Sequence, residues 1–412
     1  MSALQMKMLR SRLPPMPPPG VGGSASNKRA LARKRDYTPV SWQQYFARRK
    51  DVKVSGGRRF RVYESGTSGP VLLLLHGGGF SALSWAVFSK IITSMVTCQV
   101  LAFDMRGHGD TVSKDDGDLS AETLSNDIED LLQELYNDNL PPIILIGHSM
   151  GGAVAVHTAY RRLIPSLVGL IVIDVVEGTA LDALQGMQSF LRGRPTSFRS
   201  PEHAIEWCIR SGVTRNLESA KVSMVGQIKR GDTNELASTA VENIKQASEK
   251  TTQPMATANV IYEDGEEEEE EEGQEEEAEA EEESEQSVKK VKGNDFMHSP
   301  QPLQPSSSAS YVWRINLSKT ERHWAGWFQG LSNMFLCCDV PKMLLLAGVD
   351  RLDRELTVGQ MQGKFQMQVL PQVGHTLHED SPDKVADLVA TYMVRHKFVE
   401  ATDKFQWTFP AC

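Results

Sequence analysis

No run of apolar residues in this sequence is long enough to span a bilayer. The longest, such as Val71 to Leu75, fall far short of the roughly 20 residues that a membrane helix needs. A secretory signal is missing as well, since the first residues carry Lys and Arg without a continuous apolar stretch. Cysteine is scarce. Cys98, Cys208, Cys337, Cys338 and Cys412 form no CxxC pair and no even framework, so reduced, mostly buried thiols are expected rather than a disulfide scaffold. These absences point to a soluble intracellular chain.

Basic residues are absent from Glu263 to Glu285, a stretch that holds 17 acidic ones. That stretch sets the formal net charge of -9. Without it, 36 of the 53 acidic residues remain against 44 Lys and Arg, so the rest of the chain is mildly basic. Close like charges oppose helix formation, and residues 251–309 read as a disordered acidic insertion. A second low-complexity segment lies at 1–36. Pro14, Pro15, Pro17, Pro18 and Pro19 precede Lys28, Arg29, Arg33, Lys34 and Arg35. This tail reads either as a nuclear localisation signal or as an ordinary solvated basic tail, and the expected location is cytoplasmic and nuclear.

What is present, from Tyr37 onward, is an alternation of short apolar runs with longer amphipathic ones. PVLLLLH (70–76), QVLAFD (99–104), IILIG (143–147), LVGLIVID (167–174), KMLLLAGV (342–349) and FQMQVL (365–370) read as buried strands. Residues 120–136 carry Leu124, Ile128, Leu131, Leu132 and Leu135 on one helical stripe, and a last helix is expected over 382–397. Strands apolar throughout are buried on both faces, which predicts a mostly parallel central sheet flanked by helices. The alternation breaks from Glu177 to about Glu249, where the pattern is helical without a strong strand, and an aromatic-rich helical pattern returns over 311–335. The expected organisation is a core at 37–178 and 339–412, with a helical cap at 179–250 and 310–338. The acidic insertion interrupts the cap.

The sharpest chemical signal is Gly147-His148-Ser149-Met150-Gly151, placed between a buried strand and a small-residue helix. That is the context of a nucleophile elbow, in which a tight turn lifts a serine hydroxyl above the sheet and the flanking glycines avoid clashes. His76-Gly77-Gly78-Gly79 follows the first strong strand. Backbone N–H groups of Gly78 and Gly79, with that of Met150, are the expected oxyanion donors. Such a layout is that of an α/β-hydrolase fold with a cap. A general base belongs after the last strand. His375 fits better than its neighbour His378, while His76, His108 and His148 read as supports for their own loops. The orienting acid stays open between Asp174, after one strand, and Asp350 or Asp353, after the next.

Taken together, LLLLHGGG, LIGHSMGGAVAVHTA, IDVVEGTA, FLRGRP, NLESAKVSMVGQ, LLLAGVDRLD and GKFQMQVLPQVGHTLHED resemble the protein phosphatase methylesterases. These α/β-hydrolases remove the methyl ester from the C-terminal leucine of the protein phosphatase 2A catalytic subunit. The resemblance spans Tyr37 to the C-terminus apart from the acidic segment, and it implies Asp174 as the acid, Ser149 as nucleophile and His375 as base. It also implies no metal or organic cofactor, binding to the catalytic subunit and its holoenzymes, no nucleic-acid or membrane partner, and a monomer. Phe80 departs from the family, where a polar residue often follows the triple glycine. Two rival readings are a phosphatase-binding inhibitor that acts without catalysis, and a small-molecule esterase.

Overall fold

The computed structural model describes residues 35–243, 310–348, 352–400, 402 and 405. Residues 1–34 of the expected tail, the acidic insertion, Asp350 and Cys412 lie outside them. From Tyr37 onward the described residues form one unit.

Its centre is an eight-stranded sheet. The strands are β1 (Arg48–Val54), β2 (Arg58–Ser65), β3 (Val71–Leu75), β4 (Gln99–Phe103), β5 (Ile143–His148), β6 (Leu167–Ile173), β10 (Lys342–Leu346) and β11 (Gln366–Val369), in spatial order β1-β2-β4-β3-β5-β6-β10-β11. β1 and β2 pair antiparallel, as do β2 and β4, and every other neighbouring pair is parallel. The six strands expected from their apolar runs are the six parallel ones. β1 and β2 carry no such run. RRKDVKV and RRFRVYES are rich in charged residues, and Asp51 pairs with Arg61 across them at 2.5 Å. A charged outer strand of this kind discourages pairing with another chain.

Alternation along the parallel strands divides the interior into two cores. Leu72, Leu74, Ile144, Ile146, Ile171 and Ile173 face one side, packed with α1 (Ala86–Met95) and α10 (Pro382–Arg395). Leu73, Leu75, Ile143, Leu145, Leu170 and Val172 face the other, packed with α2 (Ala121–Tyr136) and α3 (Met150–Tyr160). The stripe Leu124, Ile128, Leu131 and Leu132 on α2 is buried as its spacing requires. Ser120 starts that helix by accepting from the amide of Thr123 at 3.3 Å.

Above the carboxyl ends of the strands sits the cap, built from α4 (Glu177–Arg192), α5 (Pro201–Ser211), α6 (Leu217–Ser223), α7 (Glu321–Phe328) and α8 (Leu331–Cys337). It is not purely helical. β7 (Ser197–Phe198), β8 (Ile228–Arg230) and β9 (Tyr311–Trp313) form an antiparallel sheet of order β7-β9-β8. The aromatic start of 311–335 is therefore a strand, not the beginning of a helix. Each strand has only two or three residues, too few to show a period. What holds them is the packing of Phe198, Trp207 and Trp313, with ring centroids 5.2–5.7 Å apart. Cys98, Cys208 and Cys338 are buried free thiols, and Cys337 is exposed. No helix among the described residues is long and apolar enough to cross a membrane.

Candidate active site

Ser149 stands between the end of β5 and the start of α3 with φ 53° and ψ -119°. A side chain rarely adopts such a left-handed backbone, and the turn holds it because its flanks are glycine. A Cβ on Gly147 would sit 2.2 Å from the carbonyl oxygen of Gly151. One on Gly151 would sit 2.5 Å from those of Leu75 and His76. The serine thereby projects from the carboxyl edge of the sheet into a cavity of about 320 Å³ beneath the cap.

His375 enters the same cavity from the loop after β11. Its Nδ1–H donates to Asp174 Oδ2 at 2.8 Å. Asp174 follows β6 with φ 52°, is buried, and also accepts from the amide of Ala347 at 3.0 Å through Oδ1. Asp353 is occupied elsewhere. It caps α9 (Arg354–Met361) by accepting from the amide of Leu356 at 2.9 Å, and it accepts from Ser332 Oγ at 2.5 Å. The carboxylate that meets the imidazole is Asp174.

Two sets of contacts fix the loop that carries His375. The carbonyl of His375 accepts from His148 Nε2 at 2.8 Å. Asp380 accepts from the amide of Gly374 at 2.6 Å and, across to the cap, from the amide of Arg215 at 2.7 Å. Thr376 Oγ1 donates to the cap carbonyl of Val213 at 2.9 Å. His375 is therefore positioned by the cap as well as by the sheet. His378 does not line the cavity. It is fully buried, stacks on Trp85 with centroids 4.2 Å apart, and has no hydrogen-bond partner on either ring nitrogen.

Buried histidines also shape the loop after β3, where the oxyanion donors are expected. His76 accepts from the amide of Met105 at 3.0 Å through Nε2. His108 accepts from the amide of Gly79 at 2.9 Å through Nε2 and donates to the carbonyl of Arg106 at 2.8 Å through Nδ1. Burial lowers the pKa of His108 to about 4, which keeps Nε2 an acceptor. The expectation of Gly79 as an oxyanion donor is corrected here, because its N–H already serves His108. Gly78 and Met150 remain. The site of a Cβ on Gly78 lies 3.6 Å from Met150 Sδ, and both residues line the cavity with Ser149. The amide of Phe80 donates to the carbonyl of Gly77 at 3.1 Å, and its ring packs edge-on against His148 at 5.9 Å. The departure at Phe80 thus supports the loop from the side.

The alpha/beta hydrolase family model matches residues 72–239 and 280–388. A mouse protein named protein phosphatase methylesterase 1 is 54% identical over the whole of both chains. The human protein of the same name is 53% identical, again over the whole of both chains. A Caenorhabditis elegans protein named probable protein phosphatase methylesterase 1 is 40% identical over 96% of this chain and 86% of its own. This chain belongs to the protein phosphatase methylesterase family. It is a carboxylic ester hydrolase. Among solved structures, an E-2-(acetamidomethylene)succinate hydrolase superposes with a TM-score of 0.55 at 15% identity, over 84% of this chain and 99% of that one, a likeness of fold.

The methylesterase cavity also contains residues that strand patterns and motifs do not single out. Leu184, Met187 and Phe190 of α4 and Trp324 and Trp327 of α7 make its wall apolar. Arg194 is its one cationic side chain among the described lining residues. The motif FLRGRP contains Arg194, but no periodicity or spacing shows that it points inward. Asp380 is equally silent, because its partners Arg215 and Gly374 are distant from each other in sequence.

Proposed function

We propose that this enzyme hydrolyses the methyl ester of the C-terminal leucine of the protein phosphatase 2A catalytic subunit. Ser149, His375 and Asp174 act as nucleophile, base and orienting acid. The contact between His375 Nδ1 and Asp174 Oδ2 carries the reading, because it leaves Nε2 free to take a proton at the edge of the Ser149 cavity. Ser149 Oγ attacks the ester carbonyl carbon while His375 Nε2 takes its proton. The amides of Met150 and Gly78 hold the oxygen that becomes negative. The tetrahedral intermediate collapses, the methoxy group leaves with the proton from His375 as methanol, and an acyl-enzyme remains. Water then gives a proton to His375, attacks the acyl carbon and frees Ser149 and the carboxylate.

The substrate assignment rests on the family together with the cavity. A wall of Leu, Met, Phe and Trp suits a leucine side chain. Partners follow from the same reading: the catalytic subunit and its holoenzymes, engaged by a monomer in cytoplasm and nucleus. The test is mass spectrometry of the enzyme mixed with a peptide ending in leucine methyl ester and quenched early. Ser149 should carry the peptidyl group. Hydrolysis by wild type with no adduct on Ser149, and undiminished hydrolysis by Ser149→Ala, would remove the mechanism.

A further inference from the structure

Arg194 lies on the segment that connects α4 to β7, at the junction of two hollows. One is the Ser149 cavity. The other is a groove of about 470 Å³, and Leu191 and Leu317 line both along with Arg194. The Arg194 guanidinium lies over the Trp313 ring at 3.5 Å and beside Trp207 at 5.9 Å. Trp313 is held in turn by donating from Nε1 to the carbonyl of Pro195 at 2.7 Å. Arg194 Nη1 comes within 4.0 Å of where a Cβ of Gly79 would stand, so the charge borders the oxyanion loop.

Among the described residues this cation has no anion beside it. Arg194 Nε is buried without a hydrogen-bond partner. No carboxylate is found among the described residues that line either hollow, and the groove adds a second cation, Arg192. Aromatic stacking offsets part of the desolvation of a guanidinium but gives its Nε–H no acceptor. A buried donor without an acceptor is costly, and a carboxylate is the acceptor whose geometry fits a guanidinium edge. A chain that ends at Ser149 and leaves through the groove must pass Arg194.

We infer that Arg194, clamped by Trp313, is a carboxylate-binding subsite of the substrate channel. The inference rests on the methylesterase reading for the identity of the chain. The carboxylate comes either from an acidic side chain shortly before the ester or from the α-carboxylate freed by hydrolysis. Because Arg194 sits between cavity and groove, an acidic side chain reaches it while the ester is still at Ser149.

The test uses the full-length enzyme and peptides ending in leucine methyl ester, each with Asp or its isostere Asn at one of the three preceding positions. The readout is the Asp-to-Asn ratio of kcat/KM within each variant, which cancels any general loss of activity. Wild type should favour Asp at one position by about tenfold or more, as for hydrogen bonds to charged groups. Arg194→Gln should bring that ratio close to one, and Arg194→Lys should keep part of it. The second source is separated by free-acid peptides lacking Asp, used to inhibit hydrolysis of p-nitrophenyl acetate. If the α-carboxylate is the ligand, their inhibition weakens in Arg194→Gln while the Asp-to-Asn ratio stays near one throughout. Equal ratios in wild type and Arg194→Gln, with unchanged inhibition by free acids, would overturn the subsite. Should Arg194→Gln be inactive on every ester, the wild-type and Arg194→Lys ratios decide. A wild type that cleaves p-nitrophenyl acetate but no peptide methyl ester would sink the methylesterase reading instead, and inhibition by acidic peptides would still test Arg194.

Discussion

His375 and Asp174 are 201 positions apart and meet at 2.8 Å, Nδ1 to Oδ2. The contact is possible because each side chain leaves the end of a parallel strand at the same edge of the sheet. β6 and β11 both flank β10, and Asp174 donates its own amide to the carbonyl of Leu345 on β10 at 2.8 Å. The left-handed backbone at Asp174 turns its carboxylate back toward the loop that follows β11.

That arrangement separates two carboxylates that look alike in sequence. Asp174→Asn should lower kcat by about 10⁴-fold, the cost seen when a triad aspartate loses its charge and the imidazole its correct tautomer. Asp353→Asn should leave kcat within a few-fold and lower stability by about 1 kcal/mol at most, since it removes charge from a helix cap. Kinetics and thermal melts of both variants check this. A larger kcat loss for Asp353→Asn than for Asp174→Asn would move the acid.

Asp380 is predicted to act through geometry alone. It bonds the amides of Gly374 and Arg215 and so ties the His375 loop to the cap. Asp380→Ala should lower kcat by about 10- to 100-fold, the cost of misplacing a catalytic group by an ångström, with KM changed far less. A rise in KM at unchanged kcat would instead place Asp380 in substrate binding.

The buried histidines predict an acid-sensitive fold. Burial depresses the pKa of His76, His108, His148 and His378, to about 4 for His108 and about 3 for His378. A histidine with a depressed folded pKa contributes stability that is present above its ordinary value near 6.5 and lost as pH falls toward the folded one. Asp104 and Glu379, raised by burial to about 7, work in the opposite sense: their contribution is complete in acid and is lost as pH rises toward 7. His157 and His396 are also lowered by burial and Asp387 is raised, so six histidines against three carboxylates leave a net loss on acidification. The melting temperature should be lower at pH 5 than at pH 7, and the drop should be smaller in His378→Phe, which also removes two unpartnered nitrogens. An equal drop in both proteins would contradict the assignment.

Much of this site is legible in the sequence alone, for physical reasons that differ from residue to residue. Ser149 announces itself because an elbow needs glycine at fixed offsets, and those offsets are local in sequence. The six parallel strands are legible because burial on both faces leaves an unbroken apolar run. β1 and β2 are not, since a charged outer hairpin has no such run. In sequence, only family resemblance separates Asp174 from Asp353, as both follow strands and their difference is one of long-range contact. The loss of Gly79 as a donor is hidden because its partner His108 lies 29 positions away. The cap sheet is hidden because Phe198, Trp207 and Trp313 come from three separate segments.

The most direct test of the serine mechanism is methanol release from the methylated protein phosphatase 2A catalytic subunit, followed for wild type and Ser149→Ala at equal enzyme concentration. The expected result is one methanol per methylated C-terminus with wild type and a rate at least about 10³-fold lower with Ser149→Ala, in line with loss of a triad nucleophile. Release at the same rate by both proteins, or none by a folded wild type that still cleaves small esters, would contradict it.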